Sequence, residues 1–289
     1  MKIGLIDVDG HNFPNLALMK ISAYHKQQGD KVEFVNFFEK YDKVYKTKVF
    51  TFSDDDYTVI NAKEVIKGGT GYDLQNKLPS QIEFMYPDYD LYDIKNIAYG
   101  YLTRGCPRGC KFCIVQEKEG SKSYKVADLN QFWRGQKEVK LLDPNILACS
   151  KWEELLKQLI DSKAWVDFTQ GLDIRLMTEK KAEMINRIKI KRIHFAWDNY
   201  EFNTYDKLKE FRSKLNFKKQ KLGVYVLTNF NTTFEQDLER IYKLKELDYD
   251  PYIMIFEKWK CHHEYRRLQR WVNNKIIFRS VDKFEDYKG

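Results

Sequence analysis

Between residues 97 and 256 the chain keeps returning to one pattern, a short run of β-branched and aromatic residues alternating with longer amphipathic stretches. The runs fall at 97–102, 139–142, 165–169, 192–197, 223–228 and 252–256. Helix-period segments occupy 151–162, 179–188, 205–215 and 234–247. Antiparallel neighbours can be joined by a tight turn, whereas parallel ones need a crossover of about a dozen residues or more, usually a helix. The alternation therefore predicts an α/β chain with a parallel sheet, closed or open as a barrel, and functional residues at the C-terminal ends of its strands.

The first part reads differently. Residues 3–8 suit a buried strand. Residues 14–28 suit a helix, with Pro14 in its first turn, Leu16, Met19, Ile21 and Ala23 at rough helical spacing, and Gly29 as its stop. Strands are expected over 32–37 and 46–52, giving a βαβ unit, and Gly68-Gly69-Thr70-Gly71 marks a tight loop or a close backbone approach. A Pro- and Tyr-rich connector over 79–92 is the natural boundary. The expected organisation is a small Rossmann-like parallel domain over 1–94, a barrel over 95–260 and a basic helix or tail over 261–289.

Composition narrows the classes. Hydrophobic residues at 43% and charged residues at 32% describe a globular chain rather than a disordered one. The net charge of +8 admits an anionic partner such as nucleic acid without requiring one. Neither a signal-peptide pattern nor a membrane-length apolar run is present, so a cytosolic location with reduced thiols and no membrane partner is expected.

Three of the five cysteines crowd into one loop, Tyr101-Leu-Thr-Arg-Gly-Cys106-Pro-Arg-Gly-Cys110-Lys-Phe-Cys113. Thiolates at i, i+4 and i+7 directly after a strand can surround one compact object. Gly105 and Gly109 let the loop fold back, Pro107 stiffens it, and Arg104, Arg108 and Lys111 offset thiolate charge. A structural zinc or an electron-transfer cluster wants four protein ligands, and Cys149 and Cys261 lie far away in sequence. A four-iron cluster on Cys106, Cys110 and Cys113 leaves one iron open, as a catalytic centre needs. The rivals are a zinc site recruiting Cys149 or Cys261, and a set of buried thiols.

This loop resembles the signature of the radical S-adenosylmethionine superfamily, three cysteines at this spacing with an aromatic residue, here Phe112, before the last. The resemblance covers about residues 95–260. It implies a partial (β/α)6 barrel, a [4Fe-4S] cluster and S-adenosylmethionine chelated at the open iron. It also implies a flavodoxin- or ferredoxin-type reductant and a 5′-deoxyadenosyl radical that abstracts hydrogen from a substrate it does not name, nucleic acid or peptide among the candidates. Phe112 would lie near the adenine.

Candidate cofactor contacts follow the strands. Asp143 and Asn145 end the second barrel strand and suit the cofactor's amine or the substrate, with an Asp-Pro-Asn turn as the rival. Gln170, Asp173 and Arg175 follow the third, Arg175 as a carboxylate clamp or as half of a salt bridge with Asp173. Asp198 and Asn229, after the fourth and fifth strands, fall where the family holds ribose and adenine. The family's glycine-rich motif after the second strand is not recognisable.

The first ~95 residues resemble the cobalamin-binding domain that precedes the barrel in one branch of the superfamily. Asp9-Gly-His11 sits in the first strand-to-helix loop, Pro14 replaces a glycine of that branch's motif, and Gly68-Gly69 are placed like glycines that approach the corrin tail. A vestigial fold without corrinoid is preferred. A cobalamin-dependent methyltransferase, and a non-catalytic iron–sulfur or zinc protein binding nucleic acid or protein, remain the alternatives. Methylthiolation is disfavoured, because that group carries three N-terminal cysteines and none precedes Cys106 here. Cys261-His262-His263 is a poor ligand set, and Cys149 reads as a small core residue.

Overall fold

The computed structural model describes residues 1–10, 13–200 and 204–289. The chain divides into two compact units, one of residues 1–100 with 128–137, the other of 101–127 with 138–289.

The first unit begins with β1 (Lys2–Asp7), α1 (Leu16–Gln27), β2 (Lys31–Phe34), β3 (Tyr41–Thr47) and β4 (Ala62–Gly68). The four strands form a sheet in the order β2-β1-β3-β4, every pairing parallel. Asn15 caps α1, its Oδ1 accepting the Ala17 and Leu18 amides at 3.1 and 3.3 Å. That lays Leu18 and Ile21 on Ile3 and Leu5 as one buried cluster. The expected strand over 46–52 is displaced, running instead from Tyr41 to Thr47. Asp9, itself buried, accepts the Val49 and Phe50 amides at 2.8 Å each and so takes the chain out of the sheet. Gly69 faces protein, since a Cβ there would stand 2.4 Å from the Lys48 carbonyl oxygen, whereas a Cβ on Gly68 would meet only Asn76 Nδ2 at 3.8 Å. His11, half of the cobalamin-type loop reading, lies outside the described residues. The unit goes on through a short helix α2 (Ser80–Glu83) to β5 (Ile97–Gly100), and residues 128–137 complete it.

In the second unit β6 (Thr103–Arg104) and β7 (Tyr124–Lys125) pair antiparallel and close the base of the cysteine loop, which holds a short helix α3 (Val115–Glu119). Then come β8 (Glu138–Leu141), α4 (Trp152–Ser162), β9 (Trp165–Phe168), α5 (Glu179–Arg187), β10 (Ile190–Ala196), α6 (Thr204–Arg212), β11 (Leu222–Thr228), α7 (Phe234–Glu246) and β12 (Asp250–Ile255). Strands β8 to β12 lie side by side in chain order, all parallel. This is the β/α partial-barrel arrangement, with a strand at each of the six sequence runs. Leu141, Phe168, Ile193 and Leu222 share one register row and are at most 2% exposed, so the outer face of the sheet is sealed by its helices. Cys149 is likewise core, 1% exposed.

The C-terminal stretch is helical, as the expected basic helix or tail allows, but it is packed rather than solvated. Helix α8 (His263–Asn273) buries Leu268, Trp271 and Val272, and α9 (Lys275–Ser280) buries Phe278. Trp271 is wholly buried, packs edge-on against Phe278 at 4.9 Å and against Tyr242 at 6.0 Å, and donates Nε1–H to the Val281 carbonyl at 3.0 Å. Basic residues ride on the outer faces while an apolar stripe closes the sheet beyond β12. Trp271→Ala should therefore cost about 3–5 kcal/mol of stability, read from urea unfolding. A loss below about 1 kcal/mol would fit the tail reading instead.

Candidate functional site

The three cysteines are presented by a loop whose folding is over-determined. At its base the Asp143 carboxylate, 4% exposed, accepts the Leu102 amide at 3.1 Å, the Thr103 amide, and the Thr103 hydroxyl at 2.6 Å. Further along, Arg104 stacks 3.8 Å over the Tyr101 ring and pairs with Glu119 at 2.6 Å, while the other Glu119 oxygen takes the Gly105 amide at 3.1 Å. Gly105 has φ +78°, and a Cβ there would stand 2.0 Å from the Lys122 carbonyl oxygen, so only glycine fits. Cys106 N–H reaches Gly120 O at 3.2 Å and Cys113 N–H reaches Cys110 O at 2.9 Å. The Cys106 and Cys110 residues are half-buried and Cys113 is exposed.

Asn145 lies beside this loop. Its Nδ2 contacts Cys106 Sγ at 3.5 Å and its backbone carbonyl accepts Ser123 Oγ at 2.8 Å. Its Oδ1 is buried with no hydrogen-bond partner among the described residues. An orphaned buried acceptor is costly, and a ligand N–H would satisfy it.

The other expected contacts divide into those facing the loop and those committed elsewhere. Asp173 accepts Arg175 Nε at 2.7 Å and also pairs with Arg108 of the cysteine loop. Burial pushes its carboxyl up, but the two guanidiniums, Arg175 foremost, hold it below the ordinary carboxylate range. The salt-bridge reading of Asp173 and Arg175 thus describes the structure, with Arg108 added. Arg175 lies near enough to Cys110 for its charge to favour the thiolate against burial, which raises that thiol. Arg104 and Arg108, expected to balance thiolate charge, are instead paired with Glu119 and Asp173; Lys111 is exposed. Phe112 meets Phe230 edge-on at 5.5 Å, and Phe230 meets Phe256 at 4.8 Å, an aromatic wall running from the loop to the ends of β11 and β12.

Asp198 accepts the Leu227 amide at 3.2 Å, and burial pushes its carboxyl up to about 6. Burial also takes Asp143 to about 6, and its hydrogen bonds to Leu102 and Thr103 spend it on the loop. Asn229 adopts φ +61° and donates Nδ2–H to Phe256 O at 2.8 Å. Gln170 is exposed at the end of β9.

Sequence reasoning missed two groups. Arg240 on α7 is wholly buried and donates to the Trp197 and Leu227 carbonyls and to Asp237, tying together the C-terminal ends of β10 and β11 that present Asp198 and Asn229. Its i, i+3 spacing from Asp237 was the available signal. On the inner sheet face His194 stacks on Tyr225, with centroids 4.5 Å apart at 7°, and Tyr252 stands edge-on to Tyr225 at 5.8 Å. Gly223 makes room, since a Cβ there would lie 2.7 Å from His194 Cδ2. The period-2 alternation of Arg192, His194 and Ala196 with Ile193, Phe195 and Trp197 was the signal in that case.

Cys106, Cys110 and Cys113 put three thiol donors on one loop, one fewer than the four of a fully protein-ligated iron–sulfur cluster. Among the described residues no three His, Cys, Asp or Glu side chains gather as a ligand set for a single metal ion. No described helix is long and apolar enough to cross a membrane.

Burial lowers the His194 pKa from 6.5 to about 4. The unfolded chain therefore takes up a proton first as pH falls, so this group's contribution is intact above 6.5 and is lost towards 4. Urea unfolding of wild type and His194→Gln at pH 7 and 5 checks this. The wild type should lose more stability over that interval than the variant, and parallel losses would contradict it.

No family model and no curated protein matches the sequence. Solved structures similar to this chain include Streptococcus suis SuiB bound to precursor peptide SuiA, with 13% identity, a TM-score of 0.45, and coverage of 65% of this chain and 47% of that one. SuiB alone gives 12%, 0.44, 65% and 48%, and SuiB bound to S-adenosylmethionine gives 13%, 0.42, 64% and 44%. This chain thus spans just under half the length of those it matches. Its own coordinates place a three-cysteine loop on a parallel β/α partial barrel, the arrangement that the sequence resemblance to the radical S-adenosylmethionine superfamily implies.

Proposed function

We propose that the chain is a radical S-adenosylmethionine enzyme, with a [4Fe-4S] cluster on Cys106, Cys110 and Cys113. The observation that carries this reading is the three-thiol loop with the buried, unpartnered Asn145 Oδ1 beside Cys106. When bound, cluster and cofactor would supply reductive cleavage of the sulfonium C5′–S bond, with a flavodoxin- or ferredoxin-type donor giving the electron and methionine leaving, as the source of hydrogen-atom abstraction from substrate.

The chain's own residues then have distinct tasks. Asn145 donates Nδ2–H towards Cys106 sulfur and offers Oδ1 to the methionyl amine. Asp173 fixes the Arg175 guanidinium, which remains a cation for the methionyl carboxylate. Phe112, edge-on to Phe230, would offer aromatic contact to the adenine, and Asp198, Asn229 and Gln170 would serve the ribose side. Asp143 acts as a positioning residue, because its carboxylate is spent on Leu102 and Thr103. The stacked His194 and Tyr225 rings, with Tyr252 edge-on, would offer an aromatic surface to a substrate on the inner side of the sheet.

Anaerobic reconstitution, reduction with dithionite and chromatography for 5′-deoxyadenosine test the proposal. Wild type should form the nucleoside, and Cys106→Ala, Cys110→Ala and Cys113→Ala should fall to background. Asn145→Ala should keep its iron and sulfide yet bind S-adenosylmethionine about tenfold more weakly, the effect of one lost hydrogen bond to a charged group. One zinc per chain, no sulfide and no nucleoside would overturn it.

A further inference from the structure

The opposite end of the sheet from the cysteine loop carries a second concentration of charge. At the N-terminal ends of β11 and β12 a cavity of about 230 Å³ is lined by Lys219, Lys245, Lys275, Arg279 and Asp250 around the ring of Phe278. These residues come from four elements: the 3-10 turn Lys219–Lys221 before β11, the last turn of α7, the first residue of β12, and α9. Such convergence is not the even scatter of lysines over a solvated face.

The cations outnumber their counter-charges. Asp250 is shared between Lys275 at 2.8 Å and Arg192 at 2.7 Å. Asp248 pairs with Arg212 at 2.6 Å and reaches Lys219 only at 3.9 Å, while Lys245 pairs with the solvent-exposed Asp282 at 2.8 Å. Arg279 has no hydrogen-bond or ion-pair partner among the described residues, and neither does the side chain of Gln220, which also lines the cavity. Six cations thus answer to three carboxylates. Lys245 and Lys275 are held over the Phe278 ring, 5.3 and 5.9 Å from its centroid. Lys275 is further fixed by the Pro251 carbonyl at 2.6 Å. Mutual repulsion at such a site is relieved by an anion.

We infer that this cavity binds a dianionic phosphoryl group, the terminal phosphate of a monoester. A local excess of three positive charges exceeds what one carboxylate or chloride neutralises. The Arg279 fork, the Lys219 ammonium and the Gln220 amide put three N–H-donating side chains of the kind an oxyanion accepts on the cavity lining. The volume, below the roughly 300–1,000 Å³ of drug-sized sites, suits a phosphoryl group with a few atoms of its ester. A phosphodiester carries one charge per phosphate and needs an open groove at both ends. The inference is independent of the cluster chemistry.

Isothermal titration of the purified full chain, at constant ionic strength set with chloride, tests it. The probes are inorganic phosphate, a short 5′-phosphorylated oligoribonucleotide and the same oligonucleotide after dephosphorylation. Phosphate should bind at one site, and Arg279→Ala and Lys219→Ala, with wild-type circular dichroism, should each weaken it about tenfold. Tighter binding of the 5′-phosphorylated strand than of inorganic phosphate would identify the source as a nucleic-acid end, and equal or weaker binding a small phosphate ester. Absence of phosphate binding over chloride, unchanged affinity in both variants, or equal affinity of the dephosphorylated strand would overturn the proposal.

Discussion

The site depends on one buried carboxylate. Asp143 ends the turn after β8 and reaches across to the backbone of Leu102 and Thr103, the last residues before the cysteine loop leaves its strand. Burying a carboxylate costs several kcal/mol unless it is well hydrogen-bonded, and here two amides and a hydroxyl meet it. That interaction fixes where the loop departs. The Arg104–Glu119 pair, the contact of Cys106 N–H with Gly120 O and the tight passage at Gly105 then fix how it folds back. The thiols are thus held by local backbone geometry before any metal is considered.

A parallel sheet gives its two ends different jobs. Every strand delivers its C-terminal residues to the same end, so Asn145, Asp173, Asp198 and Asn229 come from four successive turns in one unit. Buried Arg240 reinforces that end by binding the carbonyls at the ends of β10 and β11. The N-terminal ends receive the turn before β11 and the C-terminal helices, and with them a concentration of lysine and arginine. The cysteine loop and this basic cluster are thereby kept apart by the length of the strands.

The barrel was legible in the sequence because its strands from β8 onward are separated by helices of clear period. The cysteine loop was legible because its chemistry lies in local spacing. What could not be read were the interactions that depend on tertiary partners. The charge of Arg108 was visible, but not that Asp173 would claim it. Asp143 looked equally suited to ligand or turn until its amide partners were in view. The strand expected over 46–52 ended early because Asp9, some forty residues away, captures Val49 and Phe50. The C-terminal residues looked like a solvated tail because basic side chains hide a narrow stripe of Leu268, Trp271 and Val272.

Electron paramagnetic resonance of the reduced, anaerobically reconstituted protein, recorded with and without S-adenosylmethionine, tests the proposed three-thiolate cluster most directly. A reduced cubane signal that shifts when the sulfonium compound is added, and is altered in Cys113→Ala, is the result this account predicts. A signal indifferent to the compound, or a Cys113→Ala spectrum identical to wild type, would contradict it.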